Sequence, residues 1–84
     1  MNAPTIIMYG TAWCSDCRRS RRLFEQRQIA YQYIDIEADD AARQRVIEVN
    51  QGNQSVPTII FPDGSVLVEP SNAVLGAHLD ERGL

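Results

Sequence analysis

Residues 5–17 read TIIMYGTAWCSDC. Thr5–Tyr9 is an apolar, β-branched run bounded by Pro4 and Gly10, the pattern of a buried strand. Gly10–Trp13 make a turn. A helical pattern follows from Ser15 to Gln28, with Cys17, Leu23 and Phe24 as the main members of a thin apolar face. Cys14 therefore stands where a strand hands over to a helix N-terminus, and Cys17 lies one turn deeper. A cysteine in that place faces unpaired N–H groups and the positive end of the helix dipole. Both favour thiolate over thiol. Asp16 acts in the opposite sense, as a carboxylate beside the sulfur, although it suits a helix start.

Working outward, Tyr31–Ile36 (YQYIDI) alternate as a second strand. Asp39 or Asp40 caps a second helix running to Val49 or Asn50, with Ala42, Val46 and Val49 on one face and Gly52 as a stop. Pro57–Phe61 form a third strand. Pro62-Asp63-Gly64-Ser65 is a turn, since Pro presets φ and Gly accepts positive φ. Val66–Glu69 return as an antiparallel fourth strand. Pro70-Ser71 open a last helix capped by Ser71, with Val74, Leu75, His78 and Leu79 at helical spacing. The order βαβ-α-ββα predicts a small mixed sheet with helices on its faces, a layered α/β architecture. There is no repeat or linker, so residues 1–84 read as one domain.

Composition agrees. At 84 residues, 44% hydrophobic and 23% charged, the chain is neither disordered nor large enough for two ordinary domains. A net charge of −3 argues against nucleic acid as a partner. All eight positive charges are Arg. No apolar run approaches the ~20 residues of a membrane span. No basic segment or cleavage site marks a signal peptide, so the expected compartment is the cytoplasm, where thiols stay reduced. Two cysteines are then a poor staple. They are either a redox pair or ligands to a metal. For zinc within one chain the partners are short: there is no second Cys pair, and the one histidine, His78, lies on another helix. His78 itself reads as a helix-surface or packing residue.

Val56-Pro57 is the second signal. By itself it is either a strand start or edge, where a missing N–H is tolerated, or a cis peptide bond. Arg18, Arg19, Arg21 and Arg22 follow Cys17 directly. They form either a solvated helix face or a positive patch that steers anionic thiols and acidic partners.

Trp13-Cys14-x-x-Cys17 after the first strand and Ser55-Val56-Pro57 before the third resemble the thioredoxin fold. The length and element order resemble its glutaredoxin branch, and Met8 to about Leu79 is most similar to the mycoredoxins and related glutaredoxin-like proteins. Tyr9-Gly10-Thr11-Ala12-Trp13-Cys14, Ile29-Ala30-Tyr31, Asp35-Ile36-Glu37, Asn53–Thr58 and Phe61–Ser65 carry the resemblance. It implies a four-stranded mixed sheet flanked by three helices (β-α-β-α-β-β-α) and a monomeric thiol–disulfide oxidoreductase with no bound cofactor or metal. Cys14 matches the nucleophile and Cys17 the resolving cysteine. Pro57 matches the cis-proline beside the site, and Val56 the residue whose backbone pairs with the thiol or substrate. Trp13 is expected as a packed wall. Implied partners are disulfide-containing or S-thiolated proteins and a low-molecular-weight thiol.

The chain departs from the glutathione-using pattern in two places. A Gly-Gly pair and a Ser/Thr/Cys-Asp-like pair usually close strand four and start the last helix; here Glu69-Pro70-Ser71-Asn72 stand there. The basic residue ahead of the C-x-x-C is replaced within Thr11-Ala12-Trp13. These groups hold the charged ends of glutathione. Their loss favours a sugar-linked thiol, mycothiol or bacillithiol, with the N–H groups at Ser71 and Asn72 as the remaining anion-binding feature. Three other roles use the same fold: a ribonucleotide reductase donor coupled to thioredoxin reductase, an iron–sulfur carrier, and a regulatory binding module.

Overall fold

Strand β1 (Ile6–Gly10) is one of the two inner strands of the sheet. The computed structural model describes residues 5–84, so Pro4, expected to bound β1, lies outside the described residues. Helix α1 (Ser15–Gln26) crosses over to β2 (Tyr31–Asp35), which runs parallel to β1. Helix α2 (Asp40–Val49) leads to β3 (Thr58–Ile60), antiparallel to β1, and the hairpin returns as β4 (Val66–Val68). Helix α3 (Asn72–Glu81) ends the fold. The sheet order is β2-β1-β3-β4, the expected four-stranded mixed sheet with three helices.

Strand alternation splits the apolar residues into two cores. Ile6, Met8, Ile59 and Phe61 meet Phe24 of α1 and Leu75 and Leu79 of α3 on one face. Tyr9 meets Ile36 and the Ala42 and Val46 of α2 on the other. Phe24, Met8, Ile59 and Leu75 are fully buried, each contributing roughly 1.5–3 kcal/mol of transfer free energy.

The helix starts follow from their caps. Asp39 Oδ1 accepts from the Ala42 N–H at 3.0 Å, and Ser71 Oγ from the Val74 N–H at 3.2 Å. Helix α2 ends at Val49 as expected, whereas the end of α1 and the residue that closes α2 differ from expectation. Helix α1 stops at Gln26 rather than Gln28, because Gln28 adopts φ 57° and the Ile29 N–H reaches back to Phe24 O at 2.9 Å. In α2, Gln51 (φ 54°) takes the left-handed position, and Gly52 follows it, donating to Ile47 O at 2.8 Å. Both are Schellman closures with glutamine where glycine is usual. Val74, at helical spacing with the core residues, is nonetheless 51% exposed, because α3 buries Leu75, Gly76 and Leu79 instead. Gly76 lets the guanidinium of Arg27 lie against the helix, where a Cβ would meet Nη2 at 3.1 Å.

Candidate active site

The β1–α1 turn delivers Cys14 to the N-cap of α1 with extended backbone, φ −80° and ψ 112°. Its sulfur does what a Ser or Asp side chain does at other helix starts: it accepts the Cys17 N–H, at 3.1 Å. On its other side the thiol points at the Val56 carbonyl, at 3.8 Å. Cys14 and Cys17 are both free thiols. Cys14 is 6% exposed and Cys17 only 1%. Burial pushes the Cys17 thiol up to about 12, with further upward pressure from Cys14 and some relief from the Thr11 backbone. The two sulfurs thus have unequal standing: Cys14 borders an open cleft, and Cys17 lies beneath it.

That cleft has a volume of about 380 Å³. Trp13, Cys14, Ser15 and Asp16 form one wall, and Gln54, Ser55, Val56 and Glu69 the other. A second hollow of about 340 Å³ shares Trp13, Gln54 and Val56 and continues toward Thr11 and Arg43. The Val56–Pro57 bond is cis. The loop before it is held from below, where Thr58 Oγ1 donates to Ser55 O at 2.7 Å and accepts from Asn50 Nδ2 at 2.9 Å. Sequence reading missed both of these supports. Their signal would have been a polar Thr at the head of an otherwise apolar strand.

Trp13 lines the cleft but is not packed: it is 67% exposed, with Nε1 donating to Glu37 Oε1 at 3.1 Å. The Asp16 carboxylate, which sequence left in balance against the helix dipole, pairs with Arg19 at 3.0 Å. Arg19 also reaches Pro70 O at 3.5 Å, and Arg18 donates to Ala12 O at 3.2 Å. Arg21 turns to the β2 side, donating to Tyr31 Oη at 3.2 Å. The arginine run therefore divides between bracing the turn and packing on β2.

Ser71 and Asn72 do not line the cleft. Both are exposed, and the Ser71 hydroxyl is engaged as the α3 cap. Glu69 does line it, with φ 48°, the left-handed backbone in which glycine is at home. His78 is remote from the thiols in its contacts: Nε2 lies 2.9 Å from Ser65 Oγ and the ring packs on Phe61.

A glutaredoxin family model matches residues 6–67. The chain belongs to the glutaredoxin family. It is 42% identical, over 94% of both chains, to a protein of Mycobacterium tuberculosis named as a glutaredoxin. It is 32% identical to mycoredoxin 1 of Corynebacterium glutamicum, over 89% of this chain and 92% of that one. The crystal structure of a thioredoxin-like protein superposes with a TM-score of 0.77 at 26% identity, covering 87% of this chain and 97% of that one. Like its family, this glutaredoxin is a thiol–disulfide oxidoreductase. Among the described residues, no helix is long and apolar enough to cross a membrane.

Proposed function

We propose that this glutaredoxin reduces mixed disulfides between proteins and a low-molecular-weight thiol, and protein disulfides, through Cys14 and Cys17. The Cys14 thiolate attacks the small-thiol sulfur of the mixed disulfide, the protein thiolate leaves, and the small thiol is now bonded to Cys14. A second small thiol, or Cys17, then attacks Cys14 and releases it. One observation carries the assignment of roles: Cys14 Sγ borders the cleft and accepts an N–H at 3.1 Å, whereas Cys17 is 1% exposed. Val56 supplies the backbone against which a substrate disulfide lies, with the buried Pro57 next to it in the chain, and the exposed Trp13 is the facing wall.

The thiol we assign is sugar-linked, of the mycothiol or bacillithiol kind, in preference to glutathione. Glu69 puts a carboxylate on the wall where a carboxylate-bearing thiol would lie, and Pro70 has no N–H to offer. Ser71 and Asn72 open α3 beyond this wall, outside the lining of the cleft. Relatives named mycoredoxin support the same reading. A coupled reduction assay with glutathione, mycothiol, bacillithiol or thioredoxin reductase as electron source tests it. Sugar-linked thiols are expected to give the most efficient turnover. Equal turnover with glutathione would remove the preference, and turnover with thioredoxin reductase alone would replace the small-thiol route.

A further inference from the structure

If Cys17 is to attack the mixed disulfide on Cys14, it must first lose its proton, and at 1% exposure the thiol has almost no direct contact with water. Among the described residues, the half-buried Tyr33 brings a hydroxyl to this thiol. Alternation along the parallel pair β1 and β2 puts Gly10 and Tyr33 on the sheet face that carries α1. A Cβ added to Gly10 would lie 2.8 Å from Cys17 Sγ and 2.9 Å from both Cε1 and Oη of Tyr33. Sulfur and phenol thus converge, from α1 and from β2, on a single gap that exists because residue 10 has no side chain. Arg21 holds the tyrosine ring in place, its guanidinium carbon 4.1 Å from the ring centroid. Tyr33 is half-buried, so part of its side chain meets solvent.

The other titratable groups around this cluster are spoken for or distant from the sulfur's proton. Asp16 on α1 pairs with Arg19, and Asp35 at the end of β2 accepts the Glu37 N–H at 2.8 Å. Arg21 carries no acceptor. Cys14 is the sulfur under attack. From the β1–α1 turn, Thr11 acts on Cys17 through its backbone. Burial, and the charge Cys17 would carry, both hold the Tyr33 phenol in its neutral form. A neutral hydroxyl can accept one proton while giving up another, which is what a relay requires.

We propose that the Tyr33 hydroxyl relays the Cys17 proton to solvent during resolution of the Cys14 mixed disulfide, a step that rests on the roles assigned above. The proton on Cys17 Sγ passes to Tyr33 Oη as the phenolic proton leaves to water. The Cys17 sulfur then bonds to Cys14, the small thiol departs as a thiolate, and that thiolate takes a proton from solvent. Cys17 is oxidised and the small thiol reduced, with no further reactant needed.

Stopped-flow mixing of the reduced protein with a small-thiol mixed disulfide separates a second-order attack by Cys14 from a first-order release of the small thiol. Tyr33→Phe keeps the ring and removes the hydroxyl. We expect the first-order step to slow about a hundredfold near pH 7, the low end of what proton-transfer groups contribute. The deficit should shrink as pH rises, and the second-order step should change less than twofold. Tyr33→His, whose ring can also pass a proton, should recover most of the loss. An unchanged first-order step at every pH, equal slowing of both steps, or a His variant as slow as the Phe variant would overturn the relay. Absence of any first-order step in the unsubstituted protein would instead overturn the resolving role of Cys17, and the relay with it.

Discussion

Glycine at position 69 should make the protein both more stable and more receptive to glutathione. Glu69 sits at φ 48°, where an L-residue costs roughly 1–2 kcal/mol. Glu69→Gly removes that cost and adds back the freedom of glycine in the unfolded chain, roughly 0.5–1 kcal/mol. The net gain is about 0.5–1 kcal/mol, or about 4 °C in Tm for a chain of this size. The ladder is undisturbed, because the residue 69 N–H that donates to Pro57 O at 2.8 Å is retained. The same substitution clears a carboxylate and its Cβ from the wall of the Cys14 cleft. Removing a like charge from beside an anionic terminus is worth about 1 kcal/mol in a water-filled cleft. The residue 69 N–H stays with Pro57 O and Pro70 offers none, so no hydrogen bond is added, and kcat/KM with glutathione should rise about fivefold. Thermal melts, and steady-state kinetics with glutathione and mycothiol on one S-thiolated substrate, measure the two effects. A lower Tm, or an unchanged ratio between the two thiols, would refute the reasoning.

Two further outcomes follow from the packing around Cys17. Gly10→Ala would force a Cβ to within 2.8 Å of Cys17 Sγ and 2.9 Å of Tyr33, so it should cost about 1–3 kcal/mol in chemical denaturation. The reduced protein should also lose stability in alkali. The Cys17 thiol rises from its ordinary 9.0 to about 12 on folding, so the folded state binds the proton more tightly. That contribution is complete below pH 9 and fades as pH climbs toward 12. Urea titrations across this range should show a slope in the reduced protein that Cys17→Ser flattens.

The order of elements was legible because strand one, the Cys14–Cys17 pair and the Asp39 and Ser71 caps each announce a boundary through local chemistry. The cis bond at Pro57 was not readable from spacing and came through the resemblance. The remaining gaps concern depth and backbone sign. The alternation of YQYIDI places Tyr33 on a face but says nothing of a sulfur on another element. Gly10 looks like a turn residue in sequence, although its role is to leave room at a strand end. Glu69 and Gln51 occupy left-handed backbone that composition assigns to glycine, and only the φ values reveal it. Val74 fits the helical period yet is exposed, since period alone does not fix the rotation of α3 against the sheet.

The central claim is that Cys14 is the attacking sulfur, and the most direct test is to look for the adduct it forms. Cys17→Ser protein mixed with a mycothiol-modified substrate should gain the mass of one mycothiol, located on Cys14 by peptide mapping, and should still turn over when free mycothiol is supplied. Cys14→Ser protein should gain nothing and show no turnover. An adduct on Cys17 in the Cys14→Ser protein, with activity retained, would contradict the account.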